Sequence, residues 1–305
     1  LVAGCSFKEP KIEVGKKSFE AEDYLILVAL EYQKEGDAKN AIKIYKELYK
    51  KSKKSNYLIE ATKISFLTND MKYTEELLKE ALKKEPDSEE LKRIEIGYLV
   101  RQKRFDEAKT KALALLKINK NPVNLKIVGG IYFQMKSYAL ALKYFESAYK
   151  KENDSNSLLN IVDILYNYLD KKDDAIALLE THIRMNSCDE QTCFKLVEIY
   201  GKEKNIDGII STYKKLYKRY KDDAFAKKIV ELYMYKKDRD GAIKFLKESG
   251  YNQEMLLDIY VALKDFKNAY KIAKNLYESS KKIDYLGRMA IYEYEQHKDK
   301  IDKKS

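Results

Sequence analysis

The sequence predicts an all-α fold, a solenoid of short antiparallel helix pairs repeated along 305 residues. Three observations carry that reading. A mostly small residue recurs in phase at Ala41, Thr74, Ala108, Ala141, Ala175, Ile209, Ala242 and Ala269, with steps of 33, 34, 33, 34, 34, 33 and 27. Two further positions keep step with it: nine residues earlier stand Tyr32, Ser65, Leu99, Tyr132, Tyr166, Tyr200, Tyr233 and Tyr260, and four residues later Tyr45, Leu78, Ala112, Phe145, Leu179, Tyr213, Leu246 and Ala273. The composition agrees, because 45% hydrophobic and 36% charged residues with only three Pro and eleven Gly favour helix and leave little loop material. Self-similarity at such a period marks stacked helix pairs, none of which can bury its apolar faces alone.

Taken in order, the chain opens on Leu1-Val2-Ala3-Gly4-Cys5. This apolar-small-Gly-Cys run resembles the lipobox of bacterial lipoproteins. The resemblance implies that residues 1–5 are the end of a signal peptide, begun before Leu1, and the anchor cysteine, with the Cys5 sulfur taking a diacylglycerol. Ser6 after the cysteine resembles the outer-membrane sorting signal of many Gram-negative lipoproteins. Residues 6–19 are mixed and lysine-rich without periodicity, as a flexible tether would be, and the first helix is expected to start near Ser18.

Counting from Pro122 as place 1, the fourth repeat puts Leu125 at place 4, Val128 at 7, Gly129 at 8, Tyr132 at 11, Ala141 at 20, Phe145 at 24 and Ala148 at 27. Small residues at 8, 20 and 27 let a first helix, A, and a second, B, approach closely, while bulky ones at 4, 7, 11 and 24 fill the space between them. This register resembles that of tetratricopeptide repeat proteins. The resemblance covers residues 20–283 in about eight repeats and implies a right-handed superhelical solenoid. The chain departs from the family in having no Trp for place 4, only Pro86 at place 32, and Thr74 and Ile209 at place 20.

Helix ends are marked chemically. All three prolines lie outside expected helix interiors, with Pro122 at a helix start. Lysines gather where B helices should end, as at Lys50, Lys51, Lys83, Lys84, Lys150 and Lys151, while Asp87, Glu89, Glu90, Asp189, Glu190, Asp222 and Asp223 open helices. The 27-residue step coincides with Ser249-Gly250, which is expected to end helix B of the seventh repeat about two turns early. Beyond the eighth repeat, Ile283, Leu286, Met289 and Ala290 match places 1, 4, 7 and 8 of another A helix. Residues 284–305 are therefore expected to form a capping helix and a polar tail.

The net charge of +11 invites a nucleic-acid reading, but the lysines sit where helix dipoles want them rather than along an aromatic strip. No segment approaches the roughly 18–20 apolar residues needed to span a bilayer. Of the two histidines, His182 falls at place 27, a packing position, and His297 in the polar tail. Neither has a partner at triad or ligand spacing, and there is no glycine-rich phosphate loop. No enzymatic activity, catalytic residue, cofactor or metal is expected. Cys188 and Cys193, five apart around an expected helix start, either form a disulfide in an oxidising compartment or remain two thiols with Cys193 packed in the core.

In the tetratricopeptide family the A-helix side facing the inside of the superhelix carries places 2, 5, 9, 12 and 13. Carried over, those places give Lys126, Phe133, Gln134, Asn160, Ile164, Asn167, Tyr168, Phe194, Glu198, Lys227, Glu231, Met234 and Tyr235 as candidate partner-binding residues. Apolar side chains on a wet face, next to amides able to hold a peptide backbone, describe a groove for a segment of another protein. Lys126 matches the family's carboxylate clamp, but Gly130 stands where that clamp wants Asn. A hydrophobic or mixed peptide is therefore expected rather than an acidic tail.

The functional expectation is a non-enzymatic scaffold or adaptor, lipid-anchored through Cys5 in the outer membrane and facing the periplasm. It would hold envelope proteins in its concave groove and support a secretion, pilus, flagellar-motor or outer-membrane-assembly complex. The alternative is a cytoplasmic tetratricopeptide regulator or chaperone-like adaptor. A nucleic-acid or cell-wall binder using the basic surface is the third class.

Overall fold

The computed structural model describes residues 17–68 and 70–301, with side chains as far as His297. Cys5 and residues 6–16 of the expected tether lie outside the described residues. All regular structure among the described residues is helical. In chain order the helices are α1 (Glu22–Lys34), α2 (Ala38–Ser52), α3 (Ser55–Leu67), α4 (Met71–Lys84), α5 (Glu89–Arg101), α6 (Phe105–Ile118), α7 (Pro122–Gln134), α8 (Tyr138–Glu152), α9 (Ser155–Tyr168), α10 (Lys172–Asn186), α11 (Glu190–Lys202), α12 (Ile206–Tyr220), α13 (Asp223–Tyr235), α14 (Arg239–Ser249), α15 (Gln253–Ala262), α16 (Phe266–Ser280) and α17 (Ile283–Ile301). Odd-numbered helices are the A helices and even-numbered ones the B helices.

The place-20 residue is the fourth residue of every B helix, from Ala41 in α2 to Ala269 in α16. What holds this phase is the A-to-B turn. The backbone N–H of Asp37, Arg104, Ser137, Asn205, Asp238 and Asp265 reaches back to the carbonyl of Tyr32, Leu99, Tyr132, Tyr200, Tyr233 and Tyr260 at 2.8–2.9 Å. That is the outer bond of a Schellman motif, and it requires a left-handed residue just before it. Gly36, Lys103, Lys136, Lys204, Lys237 and Lys264 supply it with φ from 54° to 79°. Asp37, Asp70, Asn205, Asp238 and Asp265 then cap the B helices, each accepting from the backbone N–H three residues on.

Packing follows the sizes that the register dictates. A Cβ added to Gly129 would meet the Phe145 ring at 3.2 Å, so the place-8 glycine is where α7 and α8 approach, as expected. In the second repeat Ser65 replaces the place-11 tyrosine and Thr74 the place-20 alanine. Both are buried, and their hydroxyls lie 3.0 Å apart, so a hydrogen bond takes the place of a ring over a methyl. In the sixth and seventh repeats the ring lies instead over a place-19 glycine: a Cβ on Gly208 would fall 2.7 Å from Tyr200. Ile209, at place 20 of the sixth repeat, is accordingly only half-buried.

Two features correct the sequence reading. Helix α14 ends at Gly250, which caps it with φ 68°, but it has 11 residues where α12 and α16 have 15, so it stops about one turn early rather than two. The rest of the deficit falls on α15, which has ten residues where α13 has 13. In the fifth repeat, α9 has one residue more than α7, and its turn closes with the N–H of Lys171 on the carbonyl of Leu165, six residues back instead of five. Counted from its start, α9 matches α7: Leu158, Ile161 and Val162 are buried where Leu125, Val128 and Gly129 are.

The chain divides into two compact units, Leu1–Ala175 and Ile176–Ser305, with the division inside α10. In the first, Ala41, Tyr45, Leu48 and Leu77 belong to a core under α1–α4, and Leu91, Ile96, Ala112 and Leu115 to one that continues through α7. In the second, Ile229, Phe245, Leu256, Leu257 and Ala269 form a core under α12–α17.

Candidate functional site

The A-helix face of the first unit carries an uncovered aromatic cluster. Phe133, one residue before the end of α7, meets Tyr138 at the start of α8 with ring centroids 5.6 Å apart. Tyr168, the last residue of α9, stands edge-on to Phe133 at 5.2 Å and stacks on Tyr138 at 4.3 Å. Tyr168 is 44% exposed and the other two rings are half-buried, so the three shield one another without being closed over. Phe133 and Tyr168 were legible from the register; Tyr138 was not. Its signal is its place, 17, because the tight A-to-B turn brings the first ring of a B helix against place 12 of the A helix before it.

The polar groups around this cluster are largely committed. The Lys126 ammonium pairs with Glu152 at 3.0 Å and Asp154 at 3.6 Å. Burial pushes the Asp154 carboxyl up, but the hydrogen bond from the Ser157 backbone N–H at 3.0 Å and the charge of Lys126 outweigh it and hold it below the usual carboxylate range. A lysine so neutralised is a poor receptor for a terminal carboxylate. Gln134 and Asn167 are exposed and Asn160 is half-buried, with the Asn160 amide donating to the Asn156 carbonyl at 2.8 Å. Ile164 is a correction: it is fully buried and belongs to the core, because the extra residue in α9 moves it to the station that Ile131 occupies in α7.

In the second unit the expected face residues split. Phe194, 41% exposed, leans on Phe225 at 6.1 Å, and Phe225 also meets Tyr213 and Tyr220 at 6.1 and 6.3 Å. Phe225, Tyr213 and Tyr220 were not among the expected site residues. Glu198 is held below the usual carboxylate range by hydrogen bonds from Lys202 and Lys195. Glu231 pairs with Lys228 at 3.2 Å, Lys227 is exposed, and Met234 and Tyr235 lie open at the end of α13. A small cleft lined by Tyr217, Asp223, Tyr251 and Asn252 opens beside Gly250, where α14 stops early.

Cys188 and Cys193 are joined as a disulfide with Cα atoms 5.7 Å apart, and both are buried. The bond ties the residue before the Asp189 cap of α11 to place 4 of that helix. His182 is buried, with its Nδ1 3.2 Å from the Asn186 amide nitrogen; burial pushes its pKa down against the opposing charge of Asp189. Among the described residues no group of three His, Cys, Asp or Glu is placed to hold a metal, and no helix is long and apolar enough to cross a membrane.

No protein-family model and no curated protein matches this chain. Solved structures do. The chain is similar to yeast Tom70 with a TM-score of 0.56 and 15% identity, over 97% of this chain and 68% of that one. It is similar to Pseudomonas aeruginosa pilF with a TM-score of 0.50 and 19% identity, over 69% and 96% of the two chains. A tetratricopeptide repeat protein from Parabacteroides merdae gives a TM-score of 0.50 and 14% identity, over 78% and 97%. At these identities the likeness is one of fold, and the fold is the all-α tetratricopeptide array.

Proposed function

We propose that this protein is a non-catalytic protein-interaction scaffold, and that the A-helix face of the first unit holds a hydrophobic or mixed peptide segment of its partner. The observation that supports this reading is the open cluster of Phe133, Tyr138 and Tyr168 beside exposed Gln134 and Asn167. Aromatic rings ordered by one another give a partner apolar area at little conformational cost, and the amides can meet its backbone. In the second unit, Phe194, Met234 and Tyr235 extend the same chemistry.

The reading includes a lipid anchor at Cys5 in an outer membrane, with the array facing the periplasm and supporting an envelope complex. The lipobox-like run supports the anchor. The Cys188–Cys193 disulfide supports an oxidising compartment, since such bonds are rare among cytosolic proteins of mesophiles. The test of the site is capture of cross-linked envelope proteins by the wild-type chain and by a triple Phe133→Ala, Tyr138→Ala, Tyr168→Ala variant. The triple variant should keep its helical circular dichroism and lose a specific partner, each anchor ring being worth about 2 kcal/mol. Capture that survives the triple change but fails on charge reversal of the B-helix lysines would place the site elsewhere. The anchor is tested by fatty-acid labelling with Cys5→Ser as control; label on the serine variant would remove Cys5 from the reading.

A further inference from the structure

Four lysines stand in one line on the back of α2. Lys39, Lys43, Lys46 and Lys50 take the second, sixth, ninth and thirteenth positions of the helix, which at about 100° per residue fall within about 60° of one another. They lie on the side away from buried Ala41, Tyr45 and Leu48. In α4 the same positions hold Lys72, Glu76, Lys79 and Lys83. The Lys46 ammonium meets Glu80 of α4 at 3.7 Å, so the two rows lie side by side. These positions are open in mid-array too, as Ala139, Lys143, Glu146 and Lys150 of α8 show, so their exposure belongs to B-helix backs and not to an end of the array.

The carboxylates on these two backs do not cancel the rows. Glu47 pairs with Lys51 at 2.7 Å, Glu75 with Lys79 at 2.7 Å and Glu80 with Lys46, which leaves Glu76 as the unpaired acid. At the helix ends Asp37 and Asp70 cap backbone N–H groups, Glu85 accepts from the Ser55 hydroxyl and Asp87 pairs with Lys92. Lys39, Lys43, Lys50, Lys72 and Lys83 are exposed and have no ion pair among the described residues. Helix dipoles account for Lys50 and Lys83, which stand in last turns. They do not account for Lys39 and Lys72, which stand in first turns, where a cation is disfavoured. Lys39 and Lys43, like Lys46 and Lys50, are equal charges four residues apart, a spacing that costs helix stability. Elsewhere in the first unit the row is absent: α6 has Asp106, Thr110, Leu113 and Lys117 at these positions. In α16 of the second unit Lys267, Lys271 and Lys274 are followed by Glu278, which lies 3.9 Å from Lys274.

We infer that the backs of α2 and α4 dock on a bilayer bearing anionic phospholipid. Ammonium groups on flexible stems suit a diffuse field of headgroups, and neither row holds an aromatic ring on which a nucleic-acid base could stack. The surface is separate from the A-helix face of the first unit. It does not need the proposed anchor either, so it is tested on the full chain carrying Cys5→Ser. Flotation with phosphatidylcholine vesicles that contain phosphatidylglycerol should show binding that pure phosphatidylcholine vesicles do not, and the binding should weaken as added salt shortens the screening length. A further triple Lys39→Glu, Lys43→Glu, Lys72→Glu change with unchanged helicity should weaken it at least about tenfold. Lys117→Glu, Lys143→Glu, Lys150→Glu, the same change of charge on α6 and α8, should weaken it far less. The triple Phe133, Tyr138, Tyr168 alanine change should leave vesicle binding unaltered, so that failure here is separable from failure of the first-unit site. Equal binding to neutral and anionic vesicles, or equal loss in the two lysine variants, would overturn the inference. So would retention of single-stranded DNA that the α2 and α4 variant loses while vesicles are not bound, which makes the occupant a nucleic acid.

Discussion

Glu22 shows how much one side chain can decide. Its carboxylate is buried, yet it accepts from the Tyr57 hydroxyl at 2.6 Å, the Lys54 ammonium at 2.7 Å and the Ser18 backbone N–H at 2.5 Å. Burial pushes its pKa up, but these bonds outweigh burial and hold the group below the ordinary carboxylate range. Since the folded value is the lower one, the stabilisation is complete above the unfolded pKa and is lost as pH falls through the folded value. Urea unfolding of the wild type should therefore weaken below about pH 4, and Glu22→Gln should cost about 2 kcal/mol at neutral pH while flattening that dependence. Tyr57, donating to Glu22, has its own ionisation pushed up by burial and by that bond. A second residue-scale expectation concerns Gly241, where an added Cβ would sit 2.4 Å from the Tyr233 ring and 2.6 Å from the Asp238 carboxylate that caps α14. Gly241→Ala should lower the denaturation midpoint by about 1–3 kcal/mol of stability, helix propensity notwithstanding, because ring and cap must both move.

At the scale of the element, the A-to-B turn is the part that sequence reasoning understated. The register found every B helix, because the place-20 residue and its neighbours are set by close packing and packing leaves a mark on residue size. The turns leave almost none. Lysine rather than glycine occupies the left-handed station at Lys103, Lys136, Lys204, Lys237 and Lys264, with φ near 57°. An L-residue there is held against a cost of about 1–2 kcal/mol. Replacing exposed Lys237 or Lys264 by Gly should consequently raise stability, by about 1 kcal/mol each in chemical denaturation; a loss would mean that the lysine side chain contributes what the backbone forfeits. Ile164 was misplaced for a related reason: the one-residue excess in α9 lies between two landmarks, and counting back from the B helix shifts the whole A helix by one. The aromatic cluster was half legible, since Phe133 and Tyr168 follow from A-helix places while Tyr138 belongs to a B helix and meets them only through the turn.

Over the whole molecule, stability in an array of this kind is a sum of local terms, so its weak points can be located. Helices α14 and α15 are the short ones, and their amides should exchange with solvent faster than those of α7 and α8, where Phe145 closes on Gly129. Hydrogen-exchange mass spectrometry would show uniform protection across both regions if that ordering is wrong. The disulfide acts over a short loop of four intervening residues, and on loop length alone its reduction should cost about 2 kcal/mol, felt in the second unit. Period and helix content were readable because they repeat; the disulfide was not, because two cysteines at that spacing fit a bonded turn and a packed thiol equally well. The turn bond from place 16 to place 11 keeps its length in the repeats where it is formed, while the steps between repeats range from 27 to 34. The large variation, the 27-residue step, is absorbed in the lengths of α14 and α15, the two helices on either side of a border between pairs. Each pair is a cassette with a fixed internal hinge and a forgiving border, so duplication or loss of a cassette by unequal crossing-over would lengthen or shorten the protein without retuning any hinge.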